Sequence, residues 1–336
     1  MCNFAVVETK HTALELFLTY LIIFISLALI EWGYLVVARR LKIVARATRR
    51  SSHRAPVVVG GGIVYYFAIM AFWLTTDGRF MSLMGAATLL AVISFIDDVR
   101  PQGVELRLLV QFLAVIIAYA GCHNAFQTPS WSVGLVILGG VGFLNGWNFM
   151  DGINGLCGAY TLLALLVLLH IDCTSLLFTD PGLLICGVLA SVVFGFCNFR
   201  RHPLCFAGDV GSMSAAIIVL FGLGQLMLAT RSLIWLCFVA VYGVDVILTI
   251  VHRMMLRQNL FRPHRQHLYQ LLANEGHMGH RTVTLIYVGV QGIIDLGLYV
   301  WPANPWLYFA GVIVLLSAAY CVGPSCGTTP SSLSAS

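Results

Sequence analysis

The sequence predicts an all-α, polytopic integral membrane protein, and three observations carry that expectation. Hydrophobic residues fill 59% of the 336 positions and charged residues only 10%, against about 25% charged in ordinary soluble domains. The mean hydropathy is +0.90. Apolar runs approaching the roughly 20 residues of a membrane-crossing helix recur along the chain. This composition argues against a water-soluble enzyme, a disordered chain and a free nucleic-acid binder.

Eleven runs fall at about 16–37, 57–75, 81–96, 106–121, 132–149, 155–170, 182–197, 212–229, 232–251, 282–301 and 306–322. Several are short and glycine-rich, so the expected count is 10–11 transmembrane helices. The first lies too far in, and lacks the small-residue cleavage pattern, to be a removed signal peptide. Residues 1–326 read as one polytopic domain, the Ser/Thr-rich stretch 327–336 as a flexible tail, and the polar segment 252–281 as a loop. Lys and Arg bias sets orientation. With the N-terminus outside, the inside loops hold sixteen of the nineteen basic residues, including Arg39 to Arg54, Arg100, Arg107, Arg200, Arg201 and Arg253 to Arg281. Lys10, Arg79 and Arg231 remain outside. Cysteines such as Cys157, Cys186, Cys197, Cys237 and Cys321 sit within or at the ends of apolar runs, where a thiol packs as a small hydrophobe. Their spacing indicates neither a disulfide framework nor a zinc cage.

Polar residues are few, so their placement is readable. Asp97 and Asp98 end the third run, and Asn148 and Asp151 end the fifth in Asn148-Phe149-Met150-Asp151-Gly152-Ile153-Asn154-Gly155. Asp209 precedes the eighth in Gly208-Asp209-Val210-Gly211-Ser212, and His264, Arg265 and His267 lie in the loop after the ninth. Under the charge-derived topology all four groups face the cytoplasm. Carboxylate and amide oxygens are hard ligands suited to Mg²⁺ or Mn²⁺, and arginines and histidines grip phosphate oxygens. Together they describe a phosphoryl-transfer site, where positioning and charge neutralisation do most of the catalysis.

Each group also has a structural reading. An acidic pair at a helix end is a solvated cap, residues 148–155 are an ordinary turn, Asp209 is an N-cap, and loop histidines need no ligand. The basic run 39–54 serves as a topology signal. For the structural alternative to hold throughout, all four coincidences must occur at once, on one face.

Five motifs in order resemble the polyprenyl-phosphate N-acetylhexosamine-1-phosphate transferases, over about Ser51 to Arg281. They are Ser51-Ser52-His53-Arg54-Ala55-Pro56 with Gly60-Gly61-Gly62; the Asp97-Asp98 pair; Asn148-x-x-Asp151-Gly152-x-Asn154-Gly155; Gly208-Asp209-Val210-Gly211-Ser212; and His264-Arg265-Gln266-His267-Leu268. The last looks most like the bacterial branch that initiates O-antigen and teichoic acid. The resemblance implies transfer of a sugar-1-phosphate from a UDP-N-acetylhexosamine to undecaprenyl phosphate, releasing UMP, in the bacterial inner membrane. It implies Asn148 and Asp209 as Mg²⁺ ligands, Asp97 as base or lipid-phosphate positioner, and Asp98 as its neighbour near metal and phosphate. The resemblance also places Arg107 where relatives carry a Lys or Arg that touches phosphate. Asp151 and Asn154 match the nucleotide-binding motif, and His264, Arg265 and His267 the loop that meets diphosphate and sugar. The family also implies a homodimer. Asp245 falls in a family pattern usually written with Pro, here replaced around Gly243, and reads as a structural polar contact. Asn154, where the peptidoglycan translocases carry Asp, and the lack of three consecutive histidines argue against a peptidoglycan-precursor substrate.

A lipid phosphate is largely a dianion at neutral pH. That favours direct attack on the β-phosphorus, with a covalent aspartyl intermediate as the competing scheme. Two rivals come from other classes. One is a secondary transporter using the intramembrane acids Glu31, Asp245 and Asp295. The other is an aspartyl protease at Asp209, whose usual Gly-x-Gly-Asp reads Phe206-Ala207-Gly208-Asp209 here.

Overall fold

A computed structural model describes residues 13–45, 57–122, 129–260, 264–300 and 303–323. Residues 51–56 of the first motif, Lys10, Arg46, Arg49, Arg50, Arg54, Arg262 and the tail 327–336 lie outside the described residues.

The architecture is all-α. Helices α1 (Ala13–Leu41), α2 (Val64–Thr75), α3 (Met81–Val99), α4 (Val104–Ala120), α5 (Ser130–Phe149) and α6 (Leu156–Thr174) form the first half. Helices α7 (Pro181–Asn198), α8 (Gly208–Thr230), α9 (Ala240–Met255), α10 (Leu268–Asn274), α11 (His280–Val300) and α12 (Pro305–Val322) form the second. Every one of the eleven apolar runs contains a helix. Among the described residues, nine helical segments are long and apolar enough to cross a membrane, α9 counting with the 3₁₀ turn before it. The count of ten to eleven therefore needs qualification. Helices α2 and α4 are the short members, with 12 and 17 residues. The segment 252–281, read as a loop, contains the seven-residue α10.

In hydrocarbon a backbone N–H or C=O finds no water, so apolar segments resolve into helices that satisfy their own bonds. The ends show the expected chemistry. Asp180 accepts from the Gly182 N–H at 2.9 Å to start α7, and Asn304 from the Leu307 N–H at 3.1 Å to start α12. Each is followed by Pro at the first helical position, where no N–H is needed. Before α9 the chain runs as a 3₁₀ turn, Leu233–Val239. Gln291 of α11 repairs that irregularity: its amide accepts from the Val241 N–H at 3.0 Å and donates to the Cys237 carbonyl at 2.9 Å.

The core is built on α8, the most buried of the spans, which packs against α2, α3, α5, α6 and α7. Helices in lipid gain little from apolar burial and pack closely through small residues. Gly62 and Gly211 illustrate this: a Cβ on Gly62 would meet the Gly211 Cα at 2.5 Å and Ala207 at 3.1 Å. Helices α1 and α12 are mostly exposed and carry bare leucines and valines such as Leu29, Val314 and Leu315 on their surfaces. A two-residue antiparallel pairing, Val44–Ala45 with Val57–Val58, is the only sheet among the described residues.

Candidate active site

The site forms where helix ends meet at one end of the bundle. The apolar runs stop short of the helices here. Helix α3 continues past the hydrophobic run through Val99, and α8 begins at Gly208 rather than 212. Asp97 and Asp98 therefore occupy the last turn of α3, and Asp209 the first turn of α8.

Arg107, in the first turn of α4, bridges two acids. Its Nη1 lies 2.9 Å from Asp97 Oδ2 and its Nη2 3.0 Å from Asp209 Oδ2. The other Asp97 oxygen accepts from the Gln102 N–H at 2.6 Å, which fixes the connector between α3 and α4. Asp98 points differently. Its oxygens accept from the Asp209 N–H at 2.9 Å and the Val210 N–H at 3.0 Å. A carboxylate on the first amides of α8 satisfies donors that the helix itself cannot and suits the positive end of its dipole. Gly208 makes this approach possible. Its φ is +70°, and a Cβ there would sit 2.6 Å from Asp98 Oδ2 and 2.7 Å from the Gly60 nitrogen.

Asn148, at the end of α5, reaches the same place. Its Oδ1 accepts from the Ser212 hydroxyl at 2.6 Å, and the Asn148 and Asp97 side chains both lie within hydrogen-bonding reach of the Asp209 carboxylate. Asp151 follows in the turn and accepts from the Gly208 N–H. Burial, then the charges of Asp209 and Asp98, push its carboxyl well above the usual range against that bond. Four carboxylates thus gather at these helix ends, two of them bridged by the Arg107 guanidinium.

The histidine loop lies across the same turn. The His264 ring is 6.4 Å from Phe149 and 5.0 Å from His267, and His267 is 6.0 Å from Phe149. Tyr269 donates to the Phe149 carbonyl at 2.7 Å. Burial, the neighbouring His267 and the Arg253 charge hold the His264 imidazole down at about 3. Arg265 is exposed. Asn154 engages different partners: its Nδ2 donates to the Arg200 carbonyl at 3.3 Å, and its own carbonyl accepts from Thr284 at 3.1 Å. It joins the turn to the ends of α7 and α11, with Oδ1 buried and without a hydrogen-bond partner.

Two contributors escaped the sequence reading. Asn198 accepts the Gly155 N–H at 2.6 Å and donates to the Cys205 carbonyl at 2.8 Å, tying the turn to the approach of α8. Gln111 and Asn145 pair their amides at 2.7 and 3.3 Å between α4 and α5. Both Asn198 and Gln111 are lone amides in or at the end of apolar helices, and that was their only signal. The acids of the transporter reading are engaged within the fold: Glu31 accepts from Cys205 at 3.3 Å, Asp295 from Gln291 at 2.6 Å, and Asp245 from the histidine loop.

Among the described residues no group of three or more His, Cys, Asp or Glu is arranged to hold a metal ion. What the site offers is one carboxylate and one amide oxygen in an acid-rich setting. Magnesium suits such a set, because it takes one or two carboxylates and leaves its remaining positions to water and substrate phosphate.

These features define a class: a polytopic membrane protein with an acid-rich polar site at one end of its helical bundle. Residues 80–229 match the family described as glycosyl transferase family 4. The chain is 28% identical to the decaprenyl-phosphate N-acetylglucosaminephosphotransferase of Mycobacterium leprae (strain TN), over 84% of each chain. It is 24% identical to the undecaprenyl-phosphate alpha-N-acetylglucosaminyl 1-phosphate transferase of Yersinia pestis, over 81% of this chain and 82% of that one.

Proposed function

We propose that the chain transfers N-acetylhexosamine-1-phosphate from a UDP-N-acetylhexosamine to undecaprenyl or another polyprenyl phosphate. The products are polyprenyl-diphospho-HexNAc and UMP, in the initiating membrane step of a cell-surface glycan. One observation carries the reading: Asp97, the turn carrying Asn148 and Asp151, and Asp209, from three distant stretches, meet at one end of the bundle, where Arg107 bridges Asp97 and Asp209. The relatives' names supply the acceptor class and the N-acetylglucosamine phosphate. The arginine-rich loops support a site at the cytoplasmic face of the bacterial inner membrane.

An oxygen of the lipid phosphate attacks the β-phosphorus. A new P–O bond forms, the bridge to the α-phosphate breaks, and UMP leaves with the bond's electrons. Asp97, held by Arg107 and the Gln102 amide, aligns the nucleophile and takes any residual proton. Asn148 and Asp209 would hold Mg²⁺, which supplies charge neutralisation at the diphosphate. Arg107 adds a fixed positive charge beside them. Asp98 acts one step back, seating the first turn of α8 so that Asp209 faces the site. Asp151 and Asn154 shape the nucleotide side, and His264, Arg265 and His267 approach the diphosphate and sugar.

The test is UMP release by the purified chain from a panel of UDP-N-acetylhexosamines with undecaprenyl phosphate. Turnover is expected with Mg²⁺ or Mn²⁺ and not with chelator. Asp209→Asn is expected to slow it about 10²- to 10³-fold, as losing a charge-stabilising group does. A variant retaining the wild-type rate at saturating Mg²⁺ removes that role from Asp209, and no UMP from any donor rejects the reading.

A further inference from the structure

Asp245 lies inside α9, and donors surround it. Its Oδ1 accepts from the Leu268 N–H at 3.0 Å, the Thr249 hydroxyl at 3.2 Å and His267 Nδ1 at 3.2 Å. Its Oδ2 accepts from the Tyr287 hydroxyl at 2.6 Å and the Tyr269 N–H at 3.4 Å. A carboxylate only accepts, so the His267 nitrogen that faces it carries the hydrogen. Both side chains are 3% exposed.

The other edge of the imidazole is unmatched. His267 Nε2 is buried and has no hydrogen-bond partner. Buried polar atoms are nearly always paired, and an exception in a site calls for an explanation such as a ligand atom. The ring lies beside Phe149, the residue after Asn148, and its orientation leaves little freedom. Tyr269 stacks on it at 5.8 Å with a 22° interplanar angle, while the Leu268 and Tyr269 amides are held by the same carboxylate. Two helical turns further along α9, Arg253 donates to the Asn259 and Leu260 carbonyls at 2.6 and 3.3 Å. One helix thus pins the start of the loop through Arg253 and its functional end through Asp245.

We propose that Asp245 is the positioning residue for His267. It fixes Nδ1–H toward the protein and supplies the counter-charge that lets Nε2–H donate to an anionic oxygen of the diphosphate donor. This rests on the transferase reading above, and it assigns Asp245 a role beyond holding the fold. A neutral amide at 245 meets at least one of its five donors with an N–H of its own and cannot stabilise a charged imidazole.

The test compares Asp245→Asn, His267→Asn and the double variant in the full chain in nanodiscs. The readouts are KM and kcat for the UDP-sugar, calorimetric binding of UDP, and ring ¹⁵N NMR of labelled histidine. Each single variant is expected to raise KM and the Kd for UDP about tenfold or more, as losing a charge-assisted hydrogen bond does. The double variant should be no weaker than the worse single one. The wild-type resonance that His267→Asn abolishes should report a protonated Nδ1. Multiplying effects in the double variant, KM and Kd within twofold of wild type in Asp245→Asn, or a bare Nδ1 in the wild type would overturn the proposal. Should Asp245→Asn fail to fold, the wild-type ring spectrum and the Kd of His267→Asn decide. Should the wild type bind and turn over no UDP-sugar, the transferase reading fails, while the ring spectrum still judges the pairing.

Discussion

Because Arg107 divides its guanidinium between Asp97 at 2.9 Å and Asp209 at 3.0 Å, removing it changes two things in opposite directions. The carboxylates lose their counter-ion, so the site becomes more attractive to a free divalent cation. The phosphates lose a charge-assisted donor, so substrate binds less well. Arg107→Gln is therefore expected to tighten Mn²⁺ binding measured by electron paramagnetic resonance while raising the substrate KM about 10- to 100-fold. Movement of both in the same direction contradicts the bridging role. His264 gives a second residue-scale expectation. Its imidazole is held at about 3 by burial and by His267 and Arg253, whereas an unfolded histidine takes its proton near pH 6.5. Below that pH the unfolded chain binds more protons than the folded one, so stability falls as pH drops from 6.5 toward 3. The unfolding midpoint of the wild type in detergent should decline more steeply over that window than that of His264→Gln. Parallel curves would remove His264 from the balance.

At the scale of elements, Asp98 marks where a residue's type was legible and its direction was not. Two adjacent acids at the end of an apolar run announce a polar site. Successive side chains on a helix diverge by about 100°, so the pair cannot face one ligand equally. Asp97 meets Arg107, while Asp98 reaches the N-terminus of α8, a junction 111 residues away in sequence that no local pattern reveals. Asp98→Ala is expected to cost about 0.5–2 kcal/mol of stability through the lost cap and to lower kcat by displacing Asp209. Asp98→Asn, which keeps one acceptor, should retain more of both. Unfolding midpoints and UMP release measure the two effects, and an Asp98→Ala protein with wild-type stability would refute the capping role. Asn154 gives the same lesson. Its motif position was readable, but its partners Arg200 and Thr284 come from the distant ends of α7 and α11.

For the molecule as a whole, hydropathy located every long helix described but not the short α10, because the bilayer demands length and apolarity only from a crossing segment. It misjudged where helices end around the site, since there the helix continues into residues chosen for chemistry rather than for lipid. Helix pairing was equally hidden: it depends on close approaches such as Gly62 on Gly211, which carry no periodic signal. The charge bias makes the remaining whole-molecule prediction. Asp97, Asp209, Asn148 and Arg107 lie at one end of the bundle, and alternating helices put Arg201, after α7, at that end and Arg231, after α8, at the opposite one. Both positions are exposed. In a cysteine-depleted background, Arg231→Cys should react with a membrane-impermeant maleimide on spheroplasts, and Arg201→Cys only after the membrane is opened. The reverse pattern would put the acidic site on the outer face, away from cytoplasmic nucleotide sugars, and would defeat the proposed reaction through topology alone, whatever the geometry of its residues.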